Sequence, residues 1–242
     1  MTPLDFREAL ALPASANVDR RVPKRAFIEQ IKGVADRKAF DTLVDRLDWQ
    51  ASLSPGSIGV MAASDADKAV EEIQLFTLAT RREPTQRLAQ VIHQALPYPL
   101  VLISHWPHAA AIRLSLLPIH HTEPKLLSVG LQPGAALEAF LQSLALSQLP
   151  RSDLAALYDG LVERALALLA AQVSGGAYRL PANADDAASR RQALADYMTT
   201  DAAYRSIKSA AEREKRLAQG VELGTRARSA KLALDAARRA LL

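Results

Sequence analysis

Between residues 71 and 130 a single stretch of helical periodicity is set among four short apolar runs, and that order limits the topology more than any one residue does. Glu71 to Thr80 (EEIQLFTLAT) has the mixed apolar content of a strand. Pro84 then opens a segment in which Leu88, Val91, Ile92, Ala95 and Leu96 fall on one helical stripe, and Pro97 stops it. Pro99 to Ser104 (PLVLIS) is a continuous apolar run suited to a strand covered on both faces. In Ala109 to Leu116, Ile112, Leu114 and Leu116 alternate with Arg113 and Ser115, and Lys125 to Gly130 offers one more strand. A helix of about a dozen residues between strands favours a right-handed parallel crossover, whereas a short loop such as His105-Trp106-Pro107-His108 demands an antiparallel neighbour. The order therefore predicts an α/β fold, with a small mixed sheet covered by helices.

The flanks read as helical. In the first fifty residues Phe27, Ile28 and Ile31 share a face after Pro23, which suits the first helical turn, and Phe40, Leu43, Val44 and Leu47 repeat at the spacing of an amphipathic helix. After Gly134, Leu137, Phe140, Leu141 and Leu144 form one stripe. From Ser152 to Val173 a second contains Leu154, Leu157, Tyr158, Leu161, Val162, Ala165, Leu168 and Leu169, with Ser152 as its N-cap and Gly175-Gly176 as its stop. These features predict an α/β domain over 1–176, a linker over 177–181 and a helical arm over 182–242. The arm is alanine-rich, and its larger apolar groups, Leu194, Tyr197, Met198, Tyr204, Ile207 and Leu217, come at roughly heptad intervals. Gly220 and Gly224 interrupt it before Leu232, Leu234 and Leu241 resume it, which suggests two helices folded back as an antiparallel hairpin near those glycines. One thin stripe is not stable alone in water, so Leu194, Tyr197, Tyr204 and Ile207 are the candidate contacts to another helix.

Charge and composition exclude several functions. The net charge of +4 lies wholly in the C-terminal quarter: residues 181–242 carry 12 Lys/Arg against 8 Asp/Glu, and residues 1–180 carry 18 of each. A basic cluster, Arg20, Arg21, Lys24 and Arg25, is balanced by the acidic stretch from Asp65 to Glu72. This permits weak attraction to nucleic acid without requiring it. No cysteine is present, which removes disulfides, thiolate nucleophiles and thiolate metal sites. The longest nearly apolar stretch, Ala165 to Ala171, is far short of the ~18 residues a membrane span needs, and the N-terminus has no apolar leader. A cytoplasmic protein without a membrane partner is expected.

Candidate chemistry is sparse. Histidines are the only plausible metal ligands: His105 and His108 flank the hairpin tip, and His120-His121 lies past the following strand. Adjacent histidines on a strand point to opposite faces, and no carboxylate beside the loop orients a ring. Ordinary loop histidines are the simpler reading, with no metal and no cofactor. Trp106 could stack on a base or a partner side chain, or cap the sheet. A nuclease of the sheet-and-helix type needs two carboxylates for magnesium and a lysine; Glu71 and Glu72 begin a suitable strand, yet its far end, Thr77 to Arg81, has no second carboxylate. Gly56 and Gly59 do not make a phosphate loop, and no Gly-any-Ser-any-Gly elbow occurs. No catalytic residue is assigned. Arg20, Arg21, Lys24 and Arg25 would make a phosphate-contacting cluster or a solvated helix end.

The stretch LPASANVDRRVPKRAFIEQ (12–30), the passage EEIQLFTLATR followed by IHQALPYPLVLIS (71–81 and 92–104), the helix LYDGLVERALALLAA (157–171) and the tail around VELG (221–224) together resemble the bacterial domain of unknown function 4391 family. The helix-Pro-Tyr-Pro-strand block is its best marker. The resemblance implies no assigned enzymatic activity, and relatives lie near helicases and DNA methyltransferases in restriction or phage-defence gene clusters. It points to a non-enzymatic accessory or adaptor protein, bound to such a helicase or methyltransferase, or to a second copy of itself, through the arm. A metal-dependent nuclease-like enzyme at Glu71, Glu72 and the His105/His108 loop is one alternative; a nucleic-acid-binding protein is another. The tail departs from the relatives, which are Glu/Lys/Leu-rich there, whereas alanine dominates here.

Overall fold

A computed structural model describes residues 5–65, 68–107, 112–119 and 125–242. In chain order its helices are α1 (Phe6–Ala9), α2 (Lys24–Gln30), α3 (Val34–Leu43), α4 (Pro55–Ile58), α5 (Gln86–Ala95), α6 (Ala135–Ser143), α7 (Leu154–Ser174), α8 (Ala184–Arg213) and α9 (Leu217–Arg239). The strands are β1 (Asn17–Arg21), β2 (Val44–Leu53), β3 (Ala63–Asp65), β4 (Lys68–Val70), β5 (Ile73–Thr80), β6 (Leu100–His105), β7 (Ile112–Leu116) and β8 (Leu127–Gly130). Six strands form one mixed sheet in the order β1-β2-β5-β6-β7-β8, while β3 and β4 pair by themselves.

The expected crossover is present. Thr85 caps α5 by accepting the Leu88 N–H at 3.2 Å, Pro97 follows its end, and the chain re-enters the sheet as β6 parallel to β5. β6–β7 and β7–β8 are antiparallel, as are β1–β2 and β2–β5. Helices α2, α3 and α5 cover one face, burying Phe27, Phe40, Leu88 and Ile92 against Phe76, Leu78, Leu100 and Leu102. Phe27 and Phe40 stack with centroids 5.1 Å apart. On the other face Leu75, Val101, Ile103, Leu114 and Val129 are buried, and the first half of α7 lies there, its Tyr158 hydroxyl bonded to the Leu100 carbonyl at 3.1 Å.

Several expectations need correction. The first fifty residues are not all helical, because β1 and β2 lie among them. Val44 and Leu47 belong to β2: a bulge between Val44 and Arg46 advances the register, so that Val44 opposite Thr80 and Leu47 opposite Leu78 share a face. Three-residue spacing there comes from a bulge and mimics a helical stripe. Pro23 precedes α2 as its extended N-cap, outside the first turn. Asp153, not Ser152, caps α7, its Oδ1 accepting the Ala156 N–H at 2.8 Å. The strand after Glu72 begins only at Ile73.

The chain divides into two compact units, Met1–Ala165 and Leu166–Leu242, parting within α7. In the second unit α8 and α9 pack along each other as a hairpin. Asn183 caps α8 by accepting the Asp186 N–H at 2.9 Å. The reversal lies at residues 214–216, where the Glu214 carboxylate accepts the Arg216 backbone N–H at 2.9 Å, and not at Gly220 and Gly224, which sit inside the first turns of α9. Among the described residues no helix is long and apolar enough to cross a membrane.

Candidate functional site

In open α/β sheets the place for a ligand is outside the carboxyl ends of parallel strands, where the connections diverge. Here β5 and β6 end side by side, with Ala79 opposite His105. Side chains alternate along a strand, so Thr77, Ala79 and His105 share the face opposite Phe76 and Leu78. Register across β2 and β1 adds Arg46 opposite Ala79, Asp48 opposite Thr77, and Arg21 opposite Asp48. Deeper on that face Leu75, Val101 and Leu114 are buried. At this end Asp48, Thr77, Ala79 and His105 are only half-buried, and Arg21 and Arg46 are exposed. Helical cover therefore stops partway along the face and leaves its carboxyl-end half open.

The open half is polar and partly organised. Arg46 Nε lies 2.6 Å from Asp48 Oδ2, and Gln50 Nε2 donates to Thr77 Oγ1 at 3.1 Å. Burial lowers the His105 pKa from its ordinary value, against the opposing pull of the Asp48 carboxylate, so the ring is largely neutral at pH 7. On the helix-covered side of the sheet, just past β6, Trp106 is half-buried with the Arg113 guanidinium 5.4 Å from its ring centroid; Arg113 stands opposite Ser104 and is itself paired with Glu83. Arg81 and Arg82 follow β5 directly and are exposed. One carboxylate, a neutral imidazole and a set of guanidinium groups suit the binding of an anion better than bond cleavage. Among the described residues no group of three or more His, Cys, Asp or Glu stands ready for a metal ion.

The residues singled out in the sequence fall in different places. Arg20 and Arg21 end β1 and are exposed, but only Arg21, opposite Asp48, is on the open face; Arg20, opposite Trp49, is on the helix-covered one. Lys24 is occupied elsewhere: its Nζ donates to the carbonyls of Asp41 and Val44, both at 2.8 Å, and so caps the end of α3. Arg25 is exposed on α2. Glu71 and Glu72 precede β5 at the opposite end of the sheet from His105, separated by about seven strand steps or roughly 20 Å. Glu72 there accepts from Ser52 Oγ at 3.1 Å and from Gln74 Nε2. The carboxylates and the histidine of the nuclease-like grouping are thus not brought together. His108, His120 and His121 lie outside the described residues. In α8 Leu194 is buried and Tyr197, Tyr204 and Ile207 are half-buried, and α8 packs along α9. Arg46, Asp48 and Gln50 were not anticipated. Their signal was β2 itself, hidden by its bulge.

Residues 10–234 match a family described as Domain of unknown function (DUF4391). No curated protein and no solved structure matches the chain.

Proposed function

The chain belongs to the DUF4391 family, and from that premise we propose that it works by binding rather than turnover, as an accessory or adaptor subunit of a bacterial DNA-modification or phage-defence assembly. The α8–α9 hairpin is the element that docks a protein partner, a helicase or DNA methyltransferase of the same assembly. One observation supports this most: α9 carries Leu217, Val221 and Leu232 at 85%, 64% and 71% exposure. The candidate stripe of α8 is buried or half-buried while these α9 side chains are exposed, so a partner helix would meet α9 instead. Leu217 and Val221 lie one turn apart beside Gly220 and Gly224, whose missing side chains leave a shallow groove continued by Thr225 and Arg228. Burying the three apolar side chains would contribute about 5–9 kcal/mol before the cost of association, enough for a reversible contact and too little for a permanent one.

Affinity purification from the native host tests this with the full chain and with Leu217→Glu/Val221→Glu. The wild type is expected to recover a helicase or methyltransferase that the double variant loses. Identical recovery by both proteins, or a homodimer by sedimentation that the variant abolishes with no other partner, overturns the reading.

A further inference from the structure

We propose that the open carboxyl-end half of the sheet holds a phosphoryl group, seated over Ala79 between the side chains of Arg46, Thr77 and His105. These three surround Ala79 on one face: Arg46 stands opposite it on β2, His105 opposite it on β6, and Thr77 lies two residues before it on β5. Ala79 has no side chain beyond Cβ, and two strand spacings, about 10 Å between Cα atoms, separate Arg46 from His105. That gap admits one tetrahedral anion with a hydrogen bond from either side. Each neighbour has a donor to spare. Asp48, whose side chain is only 14% exposed, holds Arg46 at Nε, 2.6 Å away, and among the described residues the Nη groups of Arg46 make no hydrogen bond. Thr77 Oγ1 accepts from Gln50 Nε2 at 3.1 Å, which leaves its own proton to be donated, and no acceptor for it lies among the described residues. The neutral His105 ring carries one N–H and likewise makes no hydrogen bond among the described residues.

Shape and charge together select the ligand. Three donors approaching from β2, β5 and β6 match the separate oxygens of a phosphoryl group, whereas a carboxylate offers two oxygens in one plane. The Asp48 carboxylate is flanked by two guanidinium groups, Arg46 holding it and Arg21 opposite it on β1, so its repulsion of an anion is offset. Asp45, the extra residue of the bulge between Val44 and Arg46, is exposed and screened by water and salt. With the charges so nearly balanced, it is the converging donors and not a long-range field that hold the ligand. This site belongs to the first compact unit and stands or falls separately from docking by α9.

NMR titration of the full chain, following the His105 ring resonances, tests this with inorganic phosphate, adenosine 5′-monophosphate and adenosine at constant ionic strength. Phosphate and the nucleotide are expected to shift His105 saturably at millimolar concentration, and adenosine is not. Arg46→Gln should weaken phosphate binding by about 10- to 150-fold, the loss that follows removal of a hydrogen bond to a charged group. Ala79→Leu fills the floor without altering any charge and should abolish binding. Arg20→Gln, on the helix-covered face, should leave it unchanged. Circular dichroism confirms that each variant is folded, and Arg46→Gln, at an exposed position, keeps the test decisive should Ala79→Leu fail to fold. Tighter binding of the nucleotide than of inorganic phosphate would assign the phosphoryl group to a nucleotide, and equal binding would assign it to free phosphate or any phosphomonoester; both support the site. Absence of a saturable His105 shift overturns the proposal, as does an equal shift by adenosine. So does binding that Arg46→Gln or a folded Ala79→Leu leaves intact, or that Arg20→Gln reduces as much as Arg46→Gln.

Discussion

The hydroxyl of Tyr158 accepts the backbone N–H of Leu117 at 3.1 Å, fastening α7 to the residue that follows β7. Its own proton goes to the carbonyl of Leu100 at 3.1 Å or of Leu117 at 3.2 Å. The ring is fully buried, and burial pushes the phenol well above its ordinary pKa, so it stays protonated. Tyr158→Phe preserves the packing and strips partners from the Leu117 N–H and the Leu100 carbonyl. A loss of about 1–3 kcal/mol is expected, read as a lower urea midpoint at unchanged slope. An unchanged midpoint would mean that the hydroxyl contributes nothing to holding α7.

Two residues on, Gly160 is required by a close approach. A Cβ built there would lie 2.6 Å from Cδ of Pro150 and 3.2 Å from its Cγ. The pyrrolidine ring cannot swing aside as a flexible chain end would. Overpacking costs about 1–3 kcal/mol, against roughly 1 kcal/mol gained in helix propensity. Gly160→Ala should therefore be less stable than the wild type by chemical denaturation, and a more stable variant would show that the 148–151 segment yields freely.

His93 gives the fold a pH dependence. It is 5% exposed on α5, hydrogen-bonded to the Ser115 backbone, with Nε2 unpartnered among the described residues, and burial lowers its pKa to about 3. The folded state thus keeps the ring neutral while the unfolded chain takes a proton below about pH 6.5. Stability contributed by the neutral ring is complete above pH 6.5 and declines as pH falls toward 3. Between pH 6.5 and 4.5 the wild type should lose about 2–3 kcal/mol more than His93→Gln. Burial lowers His105 as well, but it is present in both proteins and leaves the difference unaffected. Parallel stability curves for the two would show that His93 is solvated or paired in solution.

Legibility in the sequence followed the strength of local signals. The β5–α5–β6 crossover was readable because Thr85 and Pro97 bracket an unbroken helical stripe and LVLIS is apolar throughout. β2 was not, because its bulge gives Val44 and Leu47 a helix-like spacing. With β2 went Arg46, Asp48 and Gln50, so the open sheet end was visible only through Arg21 and His105. Residue type could not show that Lys24 caps α3, since its acceptors are backbone carbonyls 17 and 20 residues away. The α8–α9 reversal was misplaced for the opposite reason: glycine signals a break by propensity, whereas a glutamate reaching its own chain two residues on makes the turn.

That misplacement leads to the last prediction. Gly220 and Gly224 lie in regular helix, neither has a positive φ, and a Cβ at either position meets nothing within 4 Å. No steric demand for glycine exists at these positions in the isolated chain. Each Gly→Ala substitution should stabilise the second unit by roughly 0.5–1 kcal/mol, partly by restricting the unfolded chain. Measured by thermal unfolding, Gly220→Ala/Gly224→Ala is therefore expected to melt higher than the wild type. The same substitutions put methyl groups into the groove beside Leu217 and Val221, so recovery of the docking partner should fall even as stability rises. Stability and docking moving in opposite directions would tie the glycines to the bound state. A double variant that is stabilised and still recovers the partner in full would remove this groove from the docking surface.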